Sequence, residues 1–265
     1  MSAFVTDFSG RTALVTGAAG AIGKGIARGL CMGGARVFIT DLRQAAVDAA
    51  IEDIAAGGGV CRGLAGDATN EADAAKAVAA AAEAFGQRID FLVNAAGLVA
   101  QGRIEDIPES EWDALFAVNC KGTFLFIKHV VPLMKARRYG KIINLSSKSG
   151  KTGSALMSHY SATKAAVIGL TQALAHELAG DGITVNCVCP GIVEDTPVWG
   201  QVVKGYVDGM RAAPGEIAAT FTAKVPLGRL ARVSDVVAVT QFLCSDGGDY
   251  LTGQAVNVAG GREMH

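Results

Sequence analysis

The sequence predicts an α/β fold in which a doubly wound parallel sheet of about seven strands carries helices on both faces. Three observations predict it. Short β-branched runs alternate with alanine-rich stretches of helical periodicity along the chain. A glycine-rich turn follows the first of these runs at once. Half of the 265 residues are hydrophobic but only 6% are aromatic, as expected where small residues pack helices closely on a parallel sheet.

The first strand is predicted at 11–16 and is followed directly by a glycine-rich run from Gly17 to Gly23. Ile22, Ile26 and Leu30 then recur at helical spacing. A strand, a glycine turn and a helix form a corner where the backbone can approach a pyrophosphate at the helix N-terminus. The pattern predicts a dinucleotide site and a Rossmann fold. A glycine-rich turn without a ligand is the alternative.

The second strand is predicted at 35–41 and ends in Asp41. A carboxylate at this position can accept hydrogen bonds from the adenosine ribose hydroxyls, and it repels a 2′-phosphate. NAD is therefore favoured over NADP. Arg43 is the contrary feature, because a nearby guanidinium can accommodate the additional phosphate, although an exposed arginine at a helix start is the commoner explanation.

The alternation continues without a domain boundary, so residues 1–265 are predicted to form a single domain. Further strands are predicted at 60–65, 89–93, 141–147, 183–188 and 255–258, and helices at 44–56, 71–85, 109–137, 162–178 and 234–244. The helical region 109–137 is expected to be interrupted at Pro132. Asp67 and the run from Asn94 to Gly97 follow strands, where they would meet the adenosine half of a dinucleotide.

The stretch from Asn144 to Lys164 carries the candidate chemistry. Ser147 ends the strand 141–147, at the sheet edge where ligands bind, and its hydroxyl could polarise a carbonyl. Tyr160 and Lys164 are four residues apart at a helix start and therefore share one face. We expect the ammonium to favour the phenolate and to lower the Tyr160 pKa from about 10 toward neutrality. Tyr160 is therefore the acid/base candidate.

The segment 193–224 differs from its surroundings. It carries Trp199, Tyr206, Met210 and Phe221 among glycines and charges, and it follows a strand on the ligand side of the sheet. Long connections in compact domains tend to act as lids, so we predict a substrate lid at about 193–224. A helical excursion on the surface that only packs is the alternative.

Composition and charge exclude several classes of function. The net charge of −1 gives no electrostatic reason to expect nucleic acid or an anionic membrane as a partner. No uninterrupted apolar run reaches the roughly 18 residues of a membrane span. The first residues lack the features of a secretion signal and six cysteines are few, so a cytoplasmic location is expected. No metal is assigned, since the histidines form no spaced cluster. His159 is expected to point away from Tyr160. Cys187 and Cys189 are interpreted as thiols packed in the core.

Together these features resemble the short-chain dehydrogenase/reductase family over essentially the whole chain. The glycine run, the run from Asn94 to Gly97 and the turn Pro190-Gly191 are similar to its coenzyme motifs. The resemblance implies a catalytic tetrad of Asn119, Ser147, Tyr160 and Lys164. It implies cofactor contacts from Gly17, Ala21, Ile22, Gly23, Asp41, Asp67, Asn94, Ala96, Gly97, Tyr160, Lys164, Pro190, Gly191 and Val193. It also implies a homotetramer formed through the long helices that carry Asn119 and Tyr160, with C-terminal segments meeting at a second interface.

Three positions depart from the family pattern. Ala21 replaces a glycine of the coenzyme motif, and Ala95 replaces the second asparagine of Asn-Asn-Ala-Gly. The motif after Pro190 is one residue longer than usual, which leaves open whether Asp195 or Thr196 meets the nicotinamide carboxamide.

Within the family, the sequence around Ser147 and the C-terminal run from Thr252 most resemble bacterial sugar-alcohol dehydrogenases of the sorbitol-6-phosphate 2-dehydrogenase group. Lys148 and Lys151 could hold a phosphate, although solvated loop charges are the favoured interpretation. The resemblance thus implies NAD-dependent hydride transfer from a secondary alcohol, such as a polyol, a sugar alcohol or its phosphate. The alternatives are a ketoreductase for 3-oxoacyl thioesters or small diketones, and a dinucleotide-binding protein without turnover.

Overall fold

The computed structural model describes residues 6–210 and 214–265, and in these ranges seven strands form one parallel sheet. The strands are β1 (Thr12–Thr16), β2 (Arg36–Asp41), β3 (Cys61–Ala65), β4 (Phe91–Asn94), β5 (Gly140–Leu145), β6 (Ile183–Pro190) and β7 (Ala255–Val258). The helices are α1 (Ala21–Met32), α2 (Gln44–Ala55), α3 (Glu71–Ala84), α4 (Glu109–Phe116), α5 (Thr123–Arg137), α6 (Ser149–Thr152), α7 (Ser158–Leu178), α8 (Pro197–Met210), α9 (Pro214–Thr222) and α10 (Val233–Cys244). The predicted fold class is confirmed.

The strand order is β3-β2-β1-β4-β5-β6-β7, and every neighbouring pair is parallel. The chain therefore builds outward from β1 in one direction and then returns to build outward from β4 in the other. A crevice opens beyond the carboxyl ends of the strands where the direction reverses, and open parallel sheets bind ligands there. The glycine run after β1, Asp67 after β3 and Ser147 after β5 follow strands at this edge of the sheet.

Helices cover both faces of the sheet, so every residue of the central strands β4 and β5 is buried. One apolar cluster joins the sheet to α1, α2 and α10, through residues such as Ile26, Val47 and Val236. A second cluster on the opposite face joins it to α3, α5 and α7, through residues such as Val78 and Val130. Both faces are therefore dry, which explains the continuous apolar character of the central strands.

The helical region 109–137 corrects one prediction. Pro132 does not interrupt it, because α5 continues through Pro132 to Arg137 and ends where Arg138 adopts a left-handed φ of 50°. Pro132 is exposed, so the backbone carbonyl that loses its helical partner lies on the solvent side of the helix. The irregular part is instead the π-helical segment Ala117–Gly122, which joins α4 to α5. Local widening of this kind is frequent at functional sites.

The continuous stretch Glu109–Arg137 is long and apolar enough, by length and composition, to cross a membrane. Core helices of folded proteins pass the same test, and here α5 packs against α3, β4 and β5. We therefore interpret it as a core helix of this fold.

The segment 193–224 forms two helices, α8 and α9, outside the two main clusters. Its buried side chains make a third and smaller cluster of Tyr206, Ile217, Phe221, Val225 and Leu230. Residues 211–213 and the Met210 side chain lie outside the described part of the structure, as do residues 1–5 at the start of the chain.

Candidate active site

Three of the four predicted tetrad residues meet in the wall of one cavity. Ser147 follows β5, and Tyr160 and Lys164 lie in the first two turns of α7. The Tyr160 phenol interacts with the Ser147 hydroxyl, and the Lys164 Nζ atom lies 5.7 Å from the centre of the Tyr160 ring. Lys164 Nζ also donates a hydrogen bond to the backbone carbonyl of Leu145, at 2.8 Å. The helical spacing of Tyr160 and Lys164 therefore places both side chains at the end of β5.

Asn119, the fourth residue of the tetrad, is buried in the π-helical segment behind the cavity wall. Its amide accepts a hydrogen bond from the Leu98 backbone N–H (2.7 Å) and donates to the Leu98 carbonyl (3.0 Å) and the Thr163 hydroxyl (2.9 Å). A methyl group on Gly97 would lie 3.3 Å from Asn119 Oδ1 and 3.4 Å from Lys164 Nζ. Asn119 and Lys164 therefore border the same small space.

The ionisation of this group differs from the sequence-based expectation. Burial raises the pKa of Tyr160 above its ordinary value of 10, and the interaction with Ser147 opposes this shift. Burial also lowers the pKa of Lys164, to about 8. The expected lowering of the Tyr160 pKa is wrong for this structure, because burial disfavours the charged form of the phenol and is the largest influence on it.

The glycine-rich turn forms the adjoining wall of the cavity. Gly17 has a φ of 63°, and a Cβ there would lie 2.5 Å from the Ala96 Cα atom. A Cβ on Gly23 would lie 2.3 Å from the Gly17 carbonyl oxygen. The turn and α1 therefore pack backbone against backbone, which leaves the N-terminal amides of α1 open at the cavity. Ala21, which replaces a family glycine, is accommodated as the first residue of α1.

Asp41 lies at the far end of the same wall, as the last residue of β2. Its carboxylate accepts hydrogen bonds from the backbone N–H groups of Ala19 (3.0 Å) and Leu42 (2.8 Å). Arg43 also lines this end of the cavity. Asp67 accepts hydrogen bonds from the backbone N–H and the hydroxyl of Thr69, each at 2.8 Å. These contacts hold both carboxylates at the cavity rim.

The cavity has a volume of about 1220 Å³ and extends from Asp41 to the α8–α9 helices. Nearly all the residues proposed to contact a dinucleotide line it, namely Gly17, Ala21, Ile22, Gly23, Asp41, Asp67, Ala96, Gly97, Tyr160, Lys164, Pro190, Gly191 and Val193. Asn94 does not line it. The Asn94 side chain is buried and donates a hydrogen bond to Asn144 Oδ1 at 2.9 Å, linking β4 to β5 beneath the cavity floor.

Of the two residues left open by the sequence, Thr196 lines the cavity, whereas Asp195 is exposed and does not line it. The Thr196 hydroxyl donates a hydrogen bond to the Val193 carbonyl (3.0 Å) and accepts one from the Trp199 N–H (3.2 Å). It therefore caps the start of α8. The geometry favours Thr196 over Asp195 for any contact with a bound molecule.

A comparison with family models decides the family. A model of short-chain alcohol dehydrogenases, described as enoyl-(acyl carrier protein) reductase, matches residues 17–263. The chain belongs to the short-chain dehydrogenase/reductase family.

Relatives of this short-chain dehydrogenase/reductase cover both substrate classes predicted from the sequence. Sorbitol dehydrogenase of Cereibacter sphaeroides is 39% identical over 256 residues, 96% of this chain and 98% of that protein. Galactitol 2-dehydrogenase of Agrobacterium fabrum is 38% identical over 255 residues, with 96% and 98% coverage. The crystal structure of a variant of the actinorhodin polyketide ketoreductase with NADPH superposes with a TM-score of 0.93, at 35% identity over 96% of this chain and 98% of that one.

Two lysines of this short-chain dehydrogenase/reductase are placed differently from the sequence-based interpretation. Lys148 is buried, and its Nζ atom donates a hydrogen bond to the Ser154 hydroxyl at 2.9 Å. Lys151 Nζ donates to the Ala255 carbonyl at 2.6 Å. The interpretation of both as solvated loop charges is wrong, because each ammonium group is held by an oxygen within the fold.

Other side chains near Tyr160 serve packing. His159 is fully buried and its Nε2 atom lies 3.0 Å from Glu111 Oε1 on α4, so it points away from the cavity as expected. Cys187 and Cys189 are buried in β6, and all six cysteines are unpaired. Within the described residues no group of three or more metal-ligating side chains converges.

Two charged residues that line the cavity, Lys224 and Arg262, were not predicted as site residues from the sequence. Lys224 ends the predicted lid and Arg262 lies in the C-terminal run, but neither was predicted to contact a ligand. Only the packing of their segments beside the third cluster brings them to the cavity, so no local pattern indicates them.

Proposed function

We propose that this protein is an NAD-dependent oxidoreductase that transfers a hydride between a secondary alcohol and the nicotinamide. The observation that carries the proposal is the convergence of Ser147, Tyr160 and Lys164 on one cavity, which also contains the glycine turn and Asp41. A dinucleotide-binding protein without turnover would have no need for this convergence. The presence of an intact tetrad therefore argues against that alternative.

In this proposal Tyr160 carries the proton. In the oxidising direction Tyr160 first releases its own proton toward Lys164 and solvent, and the resulting phenolate then takes the alcohol hydroxyl proton while the Ser147 hydroxyl holds the same oxygen by a hydrogen bond. In the reducing direction the protonated phenol donates to the ketone oxygen. Because burial raises the Tyr160 pKa, the phenol is protonated at neutral pH and is ready to act as a donor.

Lys164 and Asn119 would support this transfer. Lys164 is the cation closest to the phenol and would bind a ribose hydroxyl and exchange protons with solvent. Asn119 fixes Leu98 and Thr163 on either side of the space next to Lys164. We propose that this space holds the water through which the proton leaves.

The residues present fit a dinucleotide. The close approach of Gly17 to Ala96 keeps side chains out of the corner, and the amides of α1 are oriented toward an anion. NAD bound there would supply the hydride acceptor. The Asp41 carboxylate would accept hydrogen bonds from the ribose hydroxyls, and Thr196 would meet the carboxamide.

Cofactor choice is tested by kcat/KM with NAD and with NADP. We expect NAD to be preferred, and the substitution Asp41→Ser to reduce that preference by about tenfold through loss of charge repulsion. Asp195→Asn is the matched control, because Asp195 is exposed and off the cavity. A wild-type preference for NADP, assisted by Arg43, would overturn the assignment.

The part of the cavity next to α8 and α9, here called the substrate half, favours a second substrate class besides the sugar alcohols. Its wall includes Leu156, Ile192, Trp199, Tyr206 and Phe221, which are large and mostly apolar. A free polyol would leave its hydroxyls against these side chains without partners, at a cost for each one. A ketone or hydroxyacyl compound with an apolar portion fits this wall better.

A substrate panel separates the two candidates. NADH formation is measured with NAD and free polyols, polyol phosphates, vicinal diols and hydroxyacyl compounds. Activity confined to polyols would support the sugar-alcohol resemblance. Oxidation of diols or hydroxyacyl compounds with silence on every polyol would keep the tetrad and discard that resemblance.

We propose that α8 and α9 form the lid over the substrate. Their inner side chains line the cavity, and their own small cluster packs apart from the two clusters that hold the sheet. Such a unit can shift without disturbing the sheet, because few apolar contacts join it to the main core.

We also propose that the protein forms a homotetramer through α4, α5 and α7. Trp112 and Phe116 stack on α4 with ring centres 5.0 Å apart, and Trp112 and Phe124 are exposed by 39% and 47%. Exposed aromatic side chains on these long helices suit an interface. A monomeric mass by light scattering at micromolar concentration would refute this assembly.

A further inference from the structure

The substrate half of the cavity carries three cationic side chains that the proposed reaction does not use. They are Lys148 beside Ser147, Lys224 after α9, and Arg262 near the C-terminus. They come from three distant parts of the sequence, yet all three line the same end of the cavity. The fold therefore gathers positive charge next to the lid.

Phe221 is the point where two of these cations meet. The Arg262 guanidinium carbon lies 5.1 Å from the centre of the Phe221 ring, and the Lys224 Nζ atom lies 5.7 Å from it. The Phe221 ring thus orients both cations through its π face. The Arg262 side chain is only 14% exposed, so its contacts, rather than solvent, fix its position.

The charges in this group do not balance. Glu263 is the carboxylate in contact with it, with Oε1 at 3.8 Å from both Lys148 Nζ and Arg262 Nε. Among the contacts of the described side chains, three cations are therefore matched by the single carboxylate of Glu263, which does not line the cavity. The pKa of Lys148 is lowered by burial and by the charges of Arg262 and Lys224, whereas Glu263 raises it. An additional anion in the cavity would relieve this repulsion.

We propose that the substrate carries an anionic group, a carboxylate or a phosphate, that is bound by Lys148, Lys224 and Arg262. The apolar part of the substrate lies against Tyr206 and Phe221, and its hydroxyl or ketone carbon lies at Tyr160. This inference rests on the proposed function, because it takes the substrate to occupy this half of the cavity. It excludes a free, neutral polyol as the best substrate.

The test is a direct measurement of binding that needs no turnover. Hexanoate, hexyl phosphate and the neutral hexanamide are titrated into the enzyme by calorimetry, with and without saturating NADH. We expect the better anion to bind about tenfold more tightly than the amide, the gain typical of a partly buried charge pair. The comparison of hexanoate with hexyl phosphate decides between carboxylate and phosphate.

Variants identify the side chains responsible. Lys224→Gln and Arg262→Gln, singly and together, are expected to remove the preference for the anion. Lys204→Gln on α8 is the matched control, because Lys204 is exposed and off the cavity; it should keep the preference. Lys224 is exposed, so its variant folds even if the Arg262 variant does not.

Equal binding of anion and amide would overturn the proposal, as would a preference that survives in the double variant. So would a preference abolished by saturating NADH, since the anion would then occupy the pyrophosphate site. Failure of the proposed function is a separate outcome. The inactive Tyr160→Phe variant should retain the anion preference, so a protein that binds anions but oxidises no alcohol would keep this site and lose the reaction.

Discussion

The two halves of the cavity differ in whether backbone or side-chain atoms set their shape. The cofactor half consists of strand ends and small residues, and its shape is set where the backbones of Gly17 and Ala96 touch. The substrate half consists of large side chains on α8, α9 and the C-terminal loop, packed in a small cluster of their own. The cofactor half rests directly on the strands and helices of the main apolar clusters. The substrate half rests on a separate, smaller cluster.

This difference predicts which property each half controls. A change in the cofactor half alters the backbone and should reduce both stability and cofactor affinity. A change in the substrate half should alter substrate affinity with little effect on the sheet. The proposed tetrad lies at the junction of the two halves, where removal of the Tyr160 hydroxyl should affect catalysis more than binding or stability.

The largest effect is expected at this junction. Tyr160→Phe keeps the ring but removes the proton carrier, so kcat should fall by about 10²- to 10⁴-fold, with an unchanged Kd for NADH. Tyr206→Phe is the matched control in the substrate half, where the Tyr206 hydroxyl donates a hydrogen bond to the Ala155 carbonyl. Steady-state kinetics and NADH titration measure both. A Tyr160→Phe enzyme with wild-type turnover would contradict the assignment.

In the cofactor half, Gly17→Ala should cost about 3 kcal/mol of unfolding free energy and should weaken NADH binding, because it adds a clash to backbone strain. Gly10→Ala separates the two causes. Gly10 has a similar φ of 75°, but a Cβ there would meet nothing within 4 Å. It should cost only about 1 kcal/mol and leave NADH binding intact. Urea unfolding and NADH titration measure both variants; equal losses would show that close packing at Gly17 is unimportant.

In the substrate half, Phe221→Ala should raise KM for the substrate about tenfold, because it removes the ring against which Arg262 and Lys224 pack. The Kd for NADH should not change. Phe38→Ala is the control in the main core, where deletion of a buried ring costs about 3–5 kcal/mol. If Phe221→Ala destabilised the whole protein as much as Phe38→Ala, the lid would be part of the main core.

The smallest effect is the pH dependence of stability. The Lys164 pKa is about 8 in the folded protein, against an ordinary value of 10.5. Below pH 8 the buried charge destabilises the fold in full. Between the two pKa values the unfolded chain binds more protons, so the unfolding free energy rises with pH, by up to about 1.4 kcal/mol per unit.

Lys164→Met removes this dependence. Thermal unfolding of wild type and variant between pH 7 and pH 9.5 should show a stability difference that narrows as pH rises. The range stops there because the raised pKa of Tyr160 gives the opposite trend at higher pH. A difference that does not change with pH would show that Lys164 titrates normally.

Local patterns were sufficient for most of the fold. Most strands carry β-branched residues and the longer helices carry a periodic apolar pattern, and the predicted strand bounds lie within two residues of those observed. The exception at Pro132 depended on the exposure of one residue, which periodicity does not reveal. The placement of Tyr160 and Lys164 on one helix face was also predictable, because a four-residue spacing fixes it whatever surrounds them.

The sequence by itself therefore determined the α/β sheet, the glycine corner and the common face of Tyr160 and Lys164. Tertiary structure alone decided the ionisation of Tyr160 and Lys164, since burial depends on which elements cover them. It alone brought Lys148, Lys224 and Arg262 to one wall, although 114 residues separate the first from the last. A sequence motif predicts only the interactions between residues that are close together in the chain. Solvation and substrate contacts depend on residues that only folding brings together.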